Sequence, residues 1–240
     1  MIWKRLVVMS NIDKLKKINS AIFDVDGTLL DSMPVWDDMG ERYLASLGIT
    51  AEEGLRGELC TMSLEQGAAY MKKEYQIDKT VSQIIKEVLK IVNDFYRFEA
   101  PLKQGVKETL EWLSENQIRM VIATSSDKEL VEAALERNCI RKYFERIYTC
   151  TEVGAGKDEP IIYLKAAEFL QMKPENIMVF EDAYHAAQTA KKAGFMVVGV
   201  YDASNKENIL RMPEVCDCYC DRMSEIISET ELRSTIKNLV

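Results

Sequence analysis

The stretch Ser20-Ala21-Ile22-Phe23-Asp24-Val25-Asp26-Gly27-Thr28-Leu29-Leu30-Asp31-Ser32 decides the fold prediction for this chain. The apolar run before Asp24 predicts a strand, which ends in two carboxylates, Asp24 and Asp26. Gly27 and Thr28 follow and permit a sharp turn. Carboxylates next to a buried strand are costly unless a metal or a reaction uses them, so a functional site is favoured. The alternative is an Asx-type turn that only caps the strand.

Composition and charge limit the classes of protein to consider. The 240 residues are 47% hydrophobic and 29% charged, which suits one domain with a large insertion or two modest domains. The net charge of −8 disfavours non-specific binding to nucleic acid or to an anionic membrane. We therefore expect no nucleic-acid partner and no membrane partner. A monomer or weak dimer is expected, although no sequence pattern decides the oligomeric state.

The cysteines and the first residues bear on the cellular compartment. Residues 1–19 are interpreted as a basic lead-in without the long apolar core of a secretory signal. The six cysteines are scattered, which predicts a reducing, cytoplasmic environment. Cys216, Cys218 and Cys220 alternate as in a strand, which would place three thiols on one side. Buried structural thiols are favoured over a soft-metal site, because no second Cys or His pair completes one.

The segment after Ser32 changes from strand to helix periodicity. Helices are predicted over 34–47, 63–75 and 80–95. They indicate an all-helical insert at 34–97, which divides a second domain into residues 1–33 and 98–240.

The rest of the chain alternates between helix and strand, as in a parallel α/β sheet. Strands are predicted at 118–124, 146–150, 176–181, 195–200 and 215–220, and helices at 104–116, 127–138, up to about 170, and 183–193. Polar clusters recur where strands end, at Asp24/Asp26, Thr124/Ser125, Lys157 and Glu181/Asp182. Right-handed crossovers bring such strand ends to one edge of the sheet, where ligands bind.

The chemistry of these clusters indicates phosphoryl transfer. The four acids would repel one another without a hard divalent cation, and Mg²⁺ suits carboxylates, waters and a substrate phosphate. Lys157 would supply a positive charge, and the hydroxyl of Thr124 a donor, to phosphoryl oxygens. One aspartate could attack phosphorus while the other handles the proton of the leaving oxygen.

The segment from Asp24 to Ser32 resembles the first motif, DxDGT, of the haloacid dehalogenase superfamily. Thr124 resembles its second motif, Lys157 its third and Glu181-Asp182 its fourth. The motif order and the helical insert are similar to the β-phosphoglucomutase-like branch, from about residue 20 to the end. The resemblance implies a Rossmann-like parallel-sheet core with an inserted all-helical cap domain that closes over the site.

The resemblance also implies a role for each candidate residue. Asp24 would be the nucleophile and Asp26 the general acid/base, while Thr124, Ser125 and Lys157 would hold the phosphoryl group. The implied Mg²⁺ ligands are Asp24, the backbone carbonyl of Asp26, Asp182, and Glu181 directly or through water.

Departures from the family pattern favour a phosphatase over a phosphomutase. Ala183 and Ala186 replace the usual Ser and Gly of the fourth motif, which bears on where the following helix starts and not on the type of reaction. Trp36 stands where hexose-phosphate mutases often carry a cap histidine, and residues 59–61 lack their basic residue. We therefore expect a Mg²⁺-dependent phosphomonoester hydrolase for a small metabolite, such as a sugar phosphate or a nucleotide-like phosphate. A phosphomutase of the β-phosphoglucomutase type is the alternative.

Other functions fit the residues less well. Phosphoacceptor receiver modules combine similar side chains but are much shorter and have no inserted helices. Halide displacement on this fold needs neither a metal nor a second acid, so Asp26 and Asp182 argue against it. A solvated position is favoured for His185, the one histidine. Residues of the helical insert could contact substrate, although packing or surface exposure explains each equally well. The candidates are Trp36, Arg56, Met62 and Lys72.

Overall fold

The computed structural model describes residues 17–59, 62–205 and 208–227. The chain forms two compact units, which we call the sheet unit (Met1–Asp31 with Pro101–Val240) and the helical unit (Ser32–Ala100). The helical unit is slightly longer than the predicted insert at 34–97. Of the predicted lead-in at 1–19, residues 1–16 lie outside the described residues.

Helices and strands alternate along the sheet unit and are interrupted by the consecutive helices of the helical unit. The elements are β1 (Ser20–Phe23), α1 (Met33–Ser46), α2 (Leu55–Leu59), α3 (Leu64–Glu74), α4 (Val81–Phe98), α5 (Val106–Glu115), β2 (Arg119–Thr124), α6 (Lys128–Arg137), β3 (Arg146–Thr149), α7 (Cys150–Val153), α8 (Ile161–Leu170), β4 (Ile177–Glu181), α9 (Tyr184–Lys192), β5 (Met196–Val200), α10 (Met212–Val215) and β6 (Cys218–Cys220).

The described strands form one parallel sheet in the order β3-β2-β1-β4-β5-β6. Strand β1 is central, between β2 and β4, and the strand order reverses direction beside it. In open parallel sheets the crevice at such a reversal, beyond the carboxyl ends of the strands, is where ligands bind. The predicted α/β class with a Rossmann-like parallel sheet is confirmed.

The apolar character of the central strands follows from burial on both faces. Every residue of β1, β4 and β5 is buried, which is usual for parallel strands with helices on both faces. Phe23 of β1 stacks on Phe180 of β4 with ring centroids 4.3 Å apart. These contacts keep β1 and β4 in register, with Phe23 opposite Phe180. The residues that follow the two strands therefore leave the sheet at the same level.

Two helices of the helical unit begin at capping boxes. The side chain of Ser63 accepts a hydrogen bond from the Gln66 N–H at 3.2 Å, and the Ser63 N–H donates to Oε1 of Gln66 at 2.8 Å. Thr80 and Gln83 make the same pair of bonds at the start of α4. Such reciprocal bonds satisfy N–H groups that a helix start leaves open. The helix predicted to open at Ser63 is confirmed, whereas the short helix α2 was not predicted.

The cysteine-rich segment differs from its prediction. Strand β6 begins only at Cys218, and Cys216 lies before it, at the end of α10. Cys216 and Tyr219 pack in the same core cluster and both border Gly199, so Cys216 does not share a strand face with Cys218 and Cys220. Cys218 and Cys220 are buried, which agrees with structural thiols.

Within residues 17–59, 62–205 and 208–227, no helix combines the length and apolar character needed to span a bilayer.

Candidate active site

A tight turn after β1 orients the first acidic residues. The carbonyl of Val25 accepts hydrogen bonds from the N–H groups of Leu29 at 2.9 Å and Leu30 at 2.8 Å. Gly27 has a φ of +80°, and a Cβ atom at this position would lie 2.5 Å from Oδ2 of Asp182. Position 27 therefore requires glycine for two reasons: the backbone is left-handed there, and Asp182 lies too close for a Cβ atom.

Three carboxylates meet at the carboxyl edge of the sheet. Asp24 follows β1, while Glu181 and Asp182 come from the end of β4. One oxygen of each lies within 4.8 Å of the others, and all three side chains are buried. The adjacent, in-register strands explain how residues more than 150 positions apart in sequence become neighbours.

Lys157 is the cation of this cluster. Its Nζ atom donates to Oδ1 of Asp24 and to Oε1 of Glu181, the latter at 2.5 Å. Burial alone would lower the pKa of Lys157, but the attraction of Asp24 and Glu181 outweighs it and raises the pKa well above the usual value. The Lys157 ammonium therefore lies between the two carboxylates as their positive partner, and its predicted role toward a phosphoryl group stays a prediction.

The buried acids carry more negative charge than Lys157 compensates. Burial raises the pKa of Asp24 well above its usual value, with Lys157 opposing and Glu181 and Asp182 adding to the rise. Burial together with the charge of Glu181 raises the pKa of Asp182 to about 7. One lysine does not compensate three buried carboxylates, so the cluster favours either protons or a divalent cation. Mg²⁺ fits this all-oxygen donor set.

Two further side chains hold Asp182. The hydroxyl of Thr28 donates to Oδ1 of Asp182 at 3.0 Å, and the Asn205 amide donates to Oδ2 at 2.7 Å. Asn205 also bonds the main-chain carbonyl of Asp182 at 3.1 Å. The sequence pattern indicated only a turn at Thr28, and no pattern indicated Asn205. The rule that ligands gather at strand ends could have drawn attention to Asn205, which follows β5.

Asp26 and Thr124 are connected through a serine that was not predicted. The hydroxyl of Ser126 donates to the carboxylate of Asp26, and the Ser126 N–H donates to the hydroxyl oxygen of Thr124 at 3.1 Å. The predicted residue Ser125 is exposed instead, with its hydroxyl 3.4 Å from the thiol of Cys150. The carboxylate of Asp26 thus contacts a residue that follows β2 and is not one of the three that converge, although its charge helps to raise the pKa of Asp24.

Two of the four candidates in the helical insert make polar contacts within that unit. In the helical unit, Arg56 pairs with Asp37, and the ammonium of Lys72 donates to the carbonyl of Ile77 at 3.3 Å. His185 is exposed on α9, as the sequence favoured.

The sequence pattern of the haloacid dehalogenase-like hydrolases matches residues 21–200. The chain belongs to this family. The match includes the acidic residues after β1 and β4, Lys157 and the whole helical unit. The predicted family is confirmed.

Named relatives of this family member are phosphatases. A phosphorylated carbohydrates phosphatase from Thermotoga maritima is 28% identical over 189 residues, which are 78% of this chain and 88% of the relative. Hexitol phosphatase B from Escherichia coli K12 is 26% identical over 200 residues, 79% of this chain and 87% of the relative. The predicted enzyme class, a phosphatase within the family, agrees with both names.

The fold is also similar to that of a solved structure from the same branch. A β-phosphoglucomutase-like protein from Thermotoga maritima superposes with a TM-score of 0.78 at 26% identity. The match covers 89% of this chain and 99% of that protein. Both units of the chain thus have counterparts in a single known architecture.

Proposed function

We propose that this family member is a Mg²⁺-dependent phosphomonoester hydrolase that acts on a small phosphorylated metabolite, most simply a sugar phosphate. The observation that carries the proposal is the contact of Lys157 with both Asp24 and Glu181, beside Asp182, at the carboxyl edge of the sheet. The names of the two phosphatase relatives support the substrate class.

The first step transfers the phosphoryl group to the enzyme. A carboxylate oxygen of Asp24 attacks phosphorus, the bond from phosphorus to the alkoxide oxygen breaks, and Asp26 gives its proton to that oxygen. The product of this step is an aspartyl-phosphate on Asp24. The hydrogen bond from Ser126 to the Asp26 carboxylate holds the acid in place.

The second step releases phosphate. Asp26, now ionised, takes a proton from water, and the oxygen of that water attacks phosphorus. The acyl–phosphate bond then breaks, which restores the Asp24 carboxylate and the protonated Asp26. One residue thus serves as acid in the first step and base in the second.

The remaining side chains stabilise charge on the transferred group. Lys157, the hydroxyl of Thr124 and Ser125 with its neighbouring N–H groups would donate to the phosphoryl oxygens. Asp24, Asp182, the carbonyl of Asp26, and Glu181 directly or through water would hold Mg²⁺. When bound, the cation neutralises the acids and the phosphoryl oxygens.

The helical unit is proposed to act as a cap whose side chains select the substrate. We further infer a cytoplasmic enzyme that is a monomer or weak dimer. A phosphomutase is less favoured, because the two curated relatives described above are phosphatases.

Turnover of p-nitrophenyl phosphate tests the proposal. The wild-type protein should release p-nitrophenol with Mg²⁺ and lose this activity in excess chelator. D24N should abolish turnover while retaining the fold by circular dichroism. D94N is the matched control, since Asp94 is a partly exposed α4 residue paired with Lys90, and it should keep full activity. Full activity in D24N would overturn the mechanism.

A second assay separates phosphatase from phosphomutase. Hexose 1-phosphates incubated with the enzyme should yield free phosphate and sugar. Accumulation of an isomeric hexose phosphate would establish the mutase instead.

A further inference from the structure

Tyr163 of α8 places its hydroxyl in the acidic cluster. The proposed chemistry gives this hydroxyl no role. The residue is 1% exposed, and its hydroxyl donates to Oε1 of Glu181 at 2.8 Å. The same oxygen accepts a hydrogen bond from Nζ of Lys157 at 2.5 Å. One carboxylate oxygen therefore holds two donors, and one of these donors also contacts Asp24.

We propose that Tyr163 is a positioning residue that keeps Lys157 available to the phosphoryl group, an inference that rests on the proposed function. Its hydroxyl shares the negative charge of Glu181 Oε1 and fixes the orientation of that carboxylate. The ammonium of Lys157 is then divided between Glu181 and Asp24 rather than held by Glu181 alone.

The physical basis is competition for one cation in a buried site. A carboxylate oxygen with two donors attracts each of them less than an oxygen with one donor. Without the Tyr163 hydroxyl, Glu181 would draw Lys157 closer, and less of the ammonium charge would reach Asp24 and the phosphoryl oxygens. Hydrogen bonds to buried charged groups are among the stronger ones in proteins, so the effect should be measurable.

The local sequence explains how both donors reach one acceptor. Lys157 lies just before α8, and Tyr163 is the third residue of that helix, so a seven-residue segment supplies both groups. The neighbouring residues Ile162 and Ala166 are buried in the core that contacts β4, and the Tyr163 ring packs against Phe195 at 6.1 Å. Helix packing therefore fixes the position of the hydroxyl.

Y163F tests the inference because it removes only the hydroxyl and keeps the ring packing. Y148F is the matched control, since Tyr148 is a buried tyrosine of β3 whose ring packs against Phe169 at 6.3 Å. Inorganic phosphate with Mg²⁺ is the probe, and its Kd is measured by isothermal titration calorimetry. We expect Y163F to raise the Kd for phosphate about tenfold, and Y148F to change it less than about twofold.

A double-mutant cycle with E181Q separates positioning from a general structural role. If Tyr163 acts through the Glu181 charge, Y163F should change the Kd for phosphate less than about twofold in the E181Q background. The free energy of unfolding from urea titrations is recorded for all four proteins. A structural role would lower that free energy and multiply the Kd by the same factor in both backgrounds.

Two results would overturn the inference: an unchanged Kd in Y163F, or equal effects of Y163F with and without the Glu181 charge. If Y163F does not fold, 3-fluorotyrosine at position 163 keeps the shape and strengthens the donor. Phosphate should then bind at least about twofold more tightly, and an unchanged Kd would overturn the inference. A wild-type protein that binds phosphate without hydrolysing p-nitrophenyl phosphate would instead refute the proposed function.

Discussion

The raised pKa of Asp182 predicts an unusual dependence of stability on pH in the metal-free protein. An aspartate normally loses its proton near pH 3.8, whereas Asp182 in the folded protein does so at about 7. Between these values the folded state holds a proton that the unfolded state has released. The stability that this group contributes is therefore present at low pH and is lost as the pH rises toward 7.

The size of the effect follows from the two pKa values. For a pKa of about 7 in the folded state and 3.8 in the unfolded state, the free energy of unfolding should fall by roughly 3 kcal/mol between pH 5 and pH 8. D182N has no carboxylate at this position and should remove at least this part of the pH dependence. The charge of Asp182 also helps to raise the pKa of Asp24, so the variant reduces a second contribution of the same sign.

Urea unfolding in excess chelator at pH 5 and pH 8 measures this difference for the wild-type protein and D182N. Added Mg²⁺ should restore the wild-type stability at pH 8, because the cation compensates the ionised acids. D94N again serves as the control and should keep the wild-type slope, since Asp94 forms an exposed pair on α4. Equal pH slopes for the wild-type protein and D182N would refute the electrostatic reasoning.

Three other substitutions test separate parts of the structure. G27A places a side chain at a φ of +80° and against Asp182. It should lower the free energy of unfolding in urea by at least about 2 kcal/mol and weaken Mg²⁺ binding. Unchanged stability would contradict the described turn. N205A removes the amide that holds Asp182 Oδ2 and should weaken Mg²⁺ binding about tenfold by calorimetry. An unchanged affinity would show that this contact does not position the carboxylate. T80A removes the capping box of α4 and should lower the free energy of unfolding by about 1 kcal/mol, with T80S as the control that retains it.

The strands and the acidic cluster were predictable because local patterns determine them. Apolar runs that end in acids marked β1 and β4, and the parallel α/β alternation implied that these ends meet. Ser63 marked a helix start because its capping box lies within four consecutive residues. In each case the information lies within a short segment or in the order of segments.

The residues that hold the acids in place were not predictable for the opposite reason. Tyr163 lies in an apolar helix, Ile161–Leu170, where a tyrosine is normally a core residue. Its partner, Glu181, depends on how α8 packs on β1, β2 and β3. Asn205 follows β5 in a short turn without any pattern. Cys216 was placed on the wrong face because the end of α10 interrupts the strand alternation. Such contacts depend on tertiary packing.

The two ends of the sheet unit at the insertion are hydrogen-bonded neighbours. The N–H of Asp31 donates to the carbonyl of Pro101 at 2.9 Å, and Leu30 forms an antiparallel bridge with Leu102. The chain therefore leaves the sheet unit after Asp31 and returns to it at Pro101, two residues that are joined by a main-chain hydrogen bond. Residues between these two positions can therefore be exchanged, added or removed without changing how Leu30 pairs with Leu102. Under the proposed function, such changes would alter substrate preference and leave the acidic cluster in place.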